Sequence, residues 1–488
     1  MPYHTVMYMG ASLLWYDLET FGIHPLSDRI AQYAAIRTDD KFAEIEAPVV
    51  CYCRLGMDYV PNPESCLITR ITPQYANEKG ITEAEFVRRI RRQMLVPNTC
   101  VVGYNSLRFD DEFIRNLFYR NFCDPYDREY ANGNSRWDII DLARMAHDFR
   151  PDGISWVYDE NRRPSFRLQE LASANGIEID RAHEALSDVR ATIGLAKLIH
   201  NKQPKLFHYY FSMRMKQNVR ALVNLQHPKP ITFTSSVFTR PSGCTSVVYP
   251  ISAIPDRENA IIAYDLRFDP SDWLGLPVAE LRRRIFSPGT EYQEKDHIHL
   301  IEIRLNRCPG VAPLNTLDEE RSKALSIDTK TCLNHARRLV DQPELAQKVR
   351  SVFSMERAAP YQDADYQIYS GGFFGDEDRA AMKSIRNASP KELISSNPAF
   401  IDPRGPELFR RYLGRNYYDL LPQKEKSRWK SHCAGVLLAP ELDSVLDISK
   451  FKKQVHSLLS SGTTPAEDKA ILYQLSEYAR WLEETVLS

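Results

Sequence analysis

Leu13-Leu14-Trp15-Tyr16 is an apolar run of strand character, and it continues into Asp17-Leu18-Glu19-Thr20. Side chains alternate along a strand, so a continued strand places both the Asp17 and the Glu19 carboxylate on one face. Two like charges so close repel each other and raise each other's pKa unless something positive lies between them. A hard divalent cation such as Mg²⁺ or Mn²⁺ suits two oxygen ligands. Taken alone, the D-x-E pair reads rather as an ordinary strand end with two solvated acids.

Outward from this run, Ala31 to Ile36 reads as a neighbouring strand and Cys100 to Tyr104 as a third. Helical spacing follows in Phe113, Ile114, Leu117 and Phe118, then in Ile139, Ile140, Leu142 and Ala143. A third pattern, Leu168, Leu171 and Ala172, has Ser165 as its expected N-cap and Gly176 as its stop. Strands alternating with amphipathic helices indicate an α/β domain over residues 1–202. Residues 203–355 carry short β-type runs (Ile231–Thr234, Thr245–Tyr249, Ala260–Tyr264, Ile298–Ile303), which predict a small sheet or barrel. A helical segment near Thr329 to Phe353 is attached to it, and residues 356–488 have helical texture, ending with Ala466 to Leu487. A chain of 488 residues exceeds what one hydrophobic core usually serves, in keeping with several domains.

Two further segments carry acids. Gly103-Tyr104-Asn105-Ser106-Leu107-Arg108-Phe109-Asp110-Asp111-Glu112 follows a strand and opens a helix. Asp110 is there either an N-cap or a further metal ligand, with Asp111 as the alternative. In His183-Glu184-Ala185-Leu186-Ser187-Asp188 the histidine and the aspartate are five apart and do not share a helix face. His183 belongs in the entry loop or first turn, where an imidazole can take a proton near neutral pH.

Bulk properties narrow the partners. Sixty-three basic against 64 acidic residues give a net charge of -1, so any nucleic-acid contact rests on local patches. The runs Arg88-Arg89-Ile90-Arg91-Arg92 and Arg282-Arg283-Arg284 read as solvated faces. Nine cysteines without a CxxC pair point to reduced thiols in the cytoplasm. Met9 to Tyr16 lacks the length and basic flank of a signal peptide, and no later stretch suits a membrane span.

The three acidic segments match in order and spacing D-x-E, N-x3-F-D and H-x-A-x-x-D, and so resemble the DEDDh subclass of the DEDD exonuclease superfamily. Tyr16-Asp-Leu-Glu-Thr-Phe-Gly, Ile71-Thr-Pro, Gly80-Ile-Thr, Arg115-Asn-Leu-Phe-Tyr-Arg-Asn, Asn134-Ser-Arg-Trp-Asp and Pro164-Ser-Phe-Arg-Leu resemble bacterial exodeoxyribonuclease I. Cys308-Pro, Asn315-Thr-Leu and Phe373-Phe-Gly-Asp-Glu-Asp-Arg-Ala-Ala-Met-Lys extend the likeness over nearly the whole chain.

That resemblance implies an α/β RNase H-like nuclease domain, an SH3-like β domain and an α-helical C-terminal domain. It implies 3′-to-5′ hydrolysis of single-stranded DNA to 5′-mononucleotides, in DNA repair and recombination. Asp17, Glu19, Asp110 and Asp188 would hold two Mg²⁺ ions, with Mn²⁺ able to substitute, and His183 would be the general base. Glu19 and Arg167 would contact the terminal nucleotide, with Arg115, Tyr126, Tyr130 and Arg181 along the strand. It further implies a monomer that binds the acidic tail of single-stranded DNA-binding protein, for which Lys229 is the candidate. The alternatives are a 3′ exoribonuclease of the same superfamily and an inactive single-strand binder.

Overall fold

The computed structural model describes residues 11–179, 184–286, 297–354 and 361–488. These fall into two compact units, one built from residues up to 134, 184–190 and 361–488, the other from 135–179 and 191–354.

In the first unit, β1 (Ser12–Thr20), β2 (Ile30–Thr38), β3 (Val49–Tyr52) and β4 (Thr99–Gly103) lie in the order β3-β2-β1-β4. β1 pairs antiparallel with β2, bringing Glu19 opposite Gln32, and parallel with β4, bringing Trp15 opposite Val102. The two-residue period of β1 sends Leu14, Tyr16 and Leu18 into a core with Phe86, Val87 and Ile90 of helix α1 (Glu83–Met94). Phe113, Ile114, Leu117 and Phe118 of helix α2 (Asp110–Arg120) complete that core. Asp17 and Glu19, at the odd positions, face the other way. Helix α3 (Ala185–Lys202) carries Asp188 in its first turn.

The C-terminal helices of this unit are α4 (Asp376–Asn387), α5 (Arg404–Tyr417), α6 (Gln423–Leu438), α7 (Ile448–Ser460) and α8 (Ala466–Leu482). They pack directly on the early part of the chain. Phe21, Leu55, Tyr59 and Cys66 share one core with Trp429, Phe451, Leu472 and Tyr478. Tyr119 and Phe122 share another with Met382, Ile385, Leu408 and Phe409. A buried ionic cluster lies alongside. Arg415 donates to Asp58 at 2.8 Å and also to Asp365, while Arg411 pairs with Asp365 at 3.0 Å and with Asp363. Burial alone would raise the Asp58 carboxyl; Arg415 and Arg29 outweigh it and hold it down to about 2. Burial likewise opposes ionisation of Asp365, and Arg415 and Arg411 override it, leaving that group well below the carboxylate range.

The second unit contains five antiparallel strands, β5 (Ile231–Thr234), β6 (Thr245–Ile254), β7 (Arg257–Asp265), β8 (Leu300–Arg304) and β9 (Gly310–Pro313), in the order β8-β7-β6-β5-β9. Two helices, Thr329–Val340 and Leu345–Phe353, follow the sheet. Here one local expectation is corrected. The helix Leu168–Ala174 has Arg167, not Ser165, at its N-cap, and no side chain caps it. Ser165 instead pairs with Val157 in a two-residue hairpin strand and hydrogen-bonds Glu170 at 2.5 Å. Gly176 does follow the helix, at φ +69 in the left-handed region.

All nine cysteines are buried. Among the described residues, no helix is long and apolar enough to cross a membrane.

Candidate active site

Carboxylate oxygens of Asp17, Glu19 and Asp188 lie within 4.8 Å of one another. Strand alternation brings the first two together, and the third arrives from the first turn of α3. A side-chain bridge ties that turn to the sheet. Gln32, opposite Glu19, accepts from the Ala185 backbone N–H at 3.4 Å and donates to the Tyr52 hydroxyl at 2.8 Å. Gln32 is buried, as are Glu19 and Asp188, while Asp17 is half-buried.

Asp110 is buried as the first residue of α2 and bears on Asp17 electrostatically. It lies outside the set of three converging ligand atoms. Burial raises the Asp17 carboxyl well above its ordinary value, and Asp110, Glu19 and Asp188 raise it further. Burial and then Asp188 push Glu19 up to about 8. The like charges of Asp110, Glu19 and Asp188 thus oppose that of Asp17. The oxygen-only donor set and its closeness fit a hard divalent ion.

The backbone before α2 is shaped for this placement. Asn105 is left-handed at φ +61 and starts a 3₁₀ turn, Ser106–Arg108, and any side chain at Gly103 would collide with Ser106. The N-cap of α2 is Phe109, so Asp110 is not spent on capping. Asp111 points elsewhere. One of its oxygens accepts from the Tyr16 hydroxyl and from Arg128, each at 2.7 Å, with Arg128 fully buried. This favours Asp110 over Asp111 as the site acid. Asp111→Ala is expected to destabilise the unit by about 3–5 kcal/mol, because it strands a buried guanidinium. Asp110→Ala is expected to keep the melting temperature and lose the activity proposed below. Thermal unfolding of the two variants side by side checks this.

The remaining expected residues sit as follows. His183 and Arg181 lie outside the described residues. Arg115 is buried, donating to Glu129 at 2.8 and 3.1 Å and to Glu112 at 2.8 Å, with its guanidinium 5.2 Å from the Tyr126 ring centre. Tyr126 is half-buried and Tyr130 is exposed. Arg167, in the other unit, is exposed and paired with Glu170 at 3.2 Å. Lys229, also in that unit, is exposed. Sequence reasoning missed two neighbours of the α2 entrance: Tyr369 hydrogen-bonds Glu112, and the exposed Phe373 ring lies 6.0 Å from Tyr126. The Phe373-Phe-Gly resemblance marks their segment, but nothing local links it to α2.

Comparison with known proteins decides the family. The family model described as Exonuclease matches residues 14–196. Exodeoxyribonuclease I of Escherichia coli (strain K12) is 40% identical over 470 residues, covering 96% of this chain and 98% of that one. The chain belongs to the exodeoxyribonuclease I family.

The other two parts agree with the family's organisation. Residues 214–355 match the Exonuclease I SH3-like domain and residues 362–482 the Exonuclease I C-terminal domain. The chain thus has an RNase H-like exonuclease domain, an SH3-like domain and a helical C-terminal domain, as its sequence implied. Among solved structures of exodeoxyribonuclease I proteins, one from Methylocaldum szegediense is similar at TM-score 0.91 and 41% identity, covering 97% of this chain and 99% of that one. E. coli exonuclease I in complex with a dA16 oligonucleotide is similar at TM-score 0.92 and 39% identity, covering 97% and 100%. Relatives have also been solved in a zinc-bound complex with single-stranded DNA, and as SSB/Exonuclease I with an inhibitor.

Proposed function

We propose that the chain is a 3′-to-5′ exonuclease that degrades single-stranded DNA to 5′-mononucleotides. The observation that carries this reading is the convergence of Asp17, Glu19 and Asp188 within 4.8 Å, on a chain of this family. Asp17, Glu19 and Asp188, with Asp110 beside Asp17, would hold two Mg²⁺ ions, Mn²⁺ serving in their place. Bound there, the ions would activate water and neutralise charge on the scissile phosphate.

The chain's own groups do the rest. His183 would accept the proton of the attacking water. Glu19 and Arg167 would orient the terminal nucleotide, and Tyr126 and Tyr130 would offer rings on which unpaired bases stack. Arg115 would fix Tyr126 by the cation–π contact. Gln32 would hold the first turn of α3, and so Asp188, against Glu19.

The enzyme is proposed to act as a cytoplasmic monomer in DNA repair and recombination. Lys229 is the proposed contact for the acidic tail of single-stranded DNA-binding protein.

End-labelled substrates test polarity and sugar choice. A 3′-labelled DNA oligomer is expected to release its label at once as a mononucleotide, and a 5′-labelled one only at the end of digestion. A matched RNA oligomer is expected to persist. Immediate loss of a 5′ label overturns the polarity, and faster RNA decay favours the exoribonuclease.

A further inference from the structure

The basic run of α1 does not simply face solvent. Arg88, Arg91 and Arg92 of α1, with Lys383 and Arg386 of α4, line a cleft of about 570 Å³. Segments nearly three hundred residues apart therefore supply five cations to one cavity, and no Asp or Glu is among the described residues lining it. Only part of that charge is answered locally. Arg88 donates to Glu85 on its own helix, an exposed pair of the kind that contributes little. Arg91 pairs with Asp127 at 2.9 Å, yet its Nη1 is buried without an acceptor. Arg386 donates to the Phe122 carbonyl. Arg92 and Lys383 are exposed, and no ion pair of either is found among the described residues.

The cleft lies away from the carboxylates. It meets α2 just past its C-terminal end, at Asn121 and Cys123, whereas Asp110 opens that helix. Eleven residues rising about 1.5 Å each separate the two ends by about 16 Å.

We infer that this cleft holds the phosphodiester backbone of a single DNA strand at a distance from the hydrolytic site, an inference that rests on the exonuclease reading above. Four of the five cations are arginines, whose planar forks match phosphate oxygens. Val87, Leu95 and Val96 give an apolar shoulder for sugar and base faces. A free nucleotide shares the phosphate chemistry but lacks chain length, and that difference separates the two sources.

The test uses the full chain with Arg92→Gln and Lys383→Gln combined, both at exposed positions. Arg92→Lys with Lys383→Arg is the charge-keeping control. Binding of labelled DNA oligomers of about 8 and about 40 nucleotides is measured in EDTA over a salt series, beside Mg²⁺-dependent hydrolysis of the short one. The neutral variant is expected to bind the long oligomer roughly threefold to tenfold more weakly, with its salt slope reduced by about 0.7 per lost phosphate contact. Short-oligomer binding and hydrolysis are expected to stay unchanged, and the charge-keeping control to restore long-oligomer binding. Equal effects at both lengths, or none at either, overturn the inference. So does a loss confined to deoxyadenosine monophosphate or inorganic phosphate, which makes the cleft a nucleotide site, or to an acidic peptide, which makes it a protein contact. If the unaltered protein fails to hydrolyse the short oligomer, the exonuclease reading itself falls, whatever the cleft does.

Discussion

Asp17→Ala is expected to lower nucleotide release from a single-stranded 3′ end by about 10³-fold, the scale lost when one preorganised electrostatic group is removed from a catalytic set. Asp17 has the most to lose, since Asp110, Glu19 and Asp188 all bear on its carboxyl. Its removal has an opposite effect on folding. A half-buried carboxylate among three others is held at a cost of desolvation and repulsion, so the variant's melting temperature in EDTA is expected to equal or exceed that of the unaltered chain. Mg²⁺ is expected to stabilise the unaltered chain by mass action and the variant much less. Steady-state rates and melting curves with and without Mg²⁺ check both halves. A variant within tenfold of full activity would remove Asp17 from the machinery.

Asp365→Ala is expected to destabilise the first unit by about 3–5 kcal/mol, because Arg411 and Arg415 remain buried with much of their counter-charge gone. Hydrogen exchange of α5 in the variant reads this locally; protection unchanged from the unaltered chain would contradict it. The same cluster sets an acid limit. Asp58 and Asp365 titrate lower in the folded chain than when unfolded, so their contribution is complete above the ordinary carboxylate value near 4. It is lost as pH falls through the folded values, from about 4 towards 2 for Asp58 and likewise below the ordinary carboxylate range for Asp365. Loss of α5 protection is therefore expected on that acid flank, and Asp58→Asn should flatten it.

What the sequence made legible follows the range of each interaction. β1 and its D-x-E pair were readable because strand alternation is local, and it alone puts Asp17 and Glu19 on one face. Asp188 could be joined to them only through the three-segment resemblance, since the bond from Ala185 to Gln32 spans 153 positions. The choice between Asp110 and Asp111 was open locally because both suit a helix start. It turns on Arg128 and Tyr16, which lie 17 and 95 positions from Asp111. The ionic cluster joining Asp58 to Arg415 spans 357 positions and left no periodic trace. Ser165 misled because a serine before an apolar pattern suits a cap, while its hairpin pairing with Val157 competes for the same backbone. The Arg88–Arg92 run read as a solvated face because nothing near it in sequence foretells Lys383 and Arg386 opposite.

The most direct test of the central claim, that the converging carboxylates hold the ions that drive hydrolysis, is a time course of a 5′-labelled single-stranded DNA oligomer with EDTA-treated protein and graded Mg²⁺. A ladder that shortens from the 3′ end, is absent in EDTA and grows with Mg²⁺ is the predicted result. Shortening that persists in EDTA, or an intact strand that stays bound at every Mg²⁺ concentration, would contradict it.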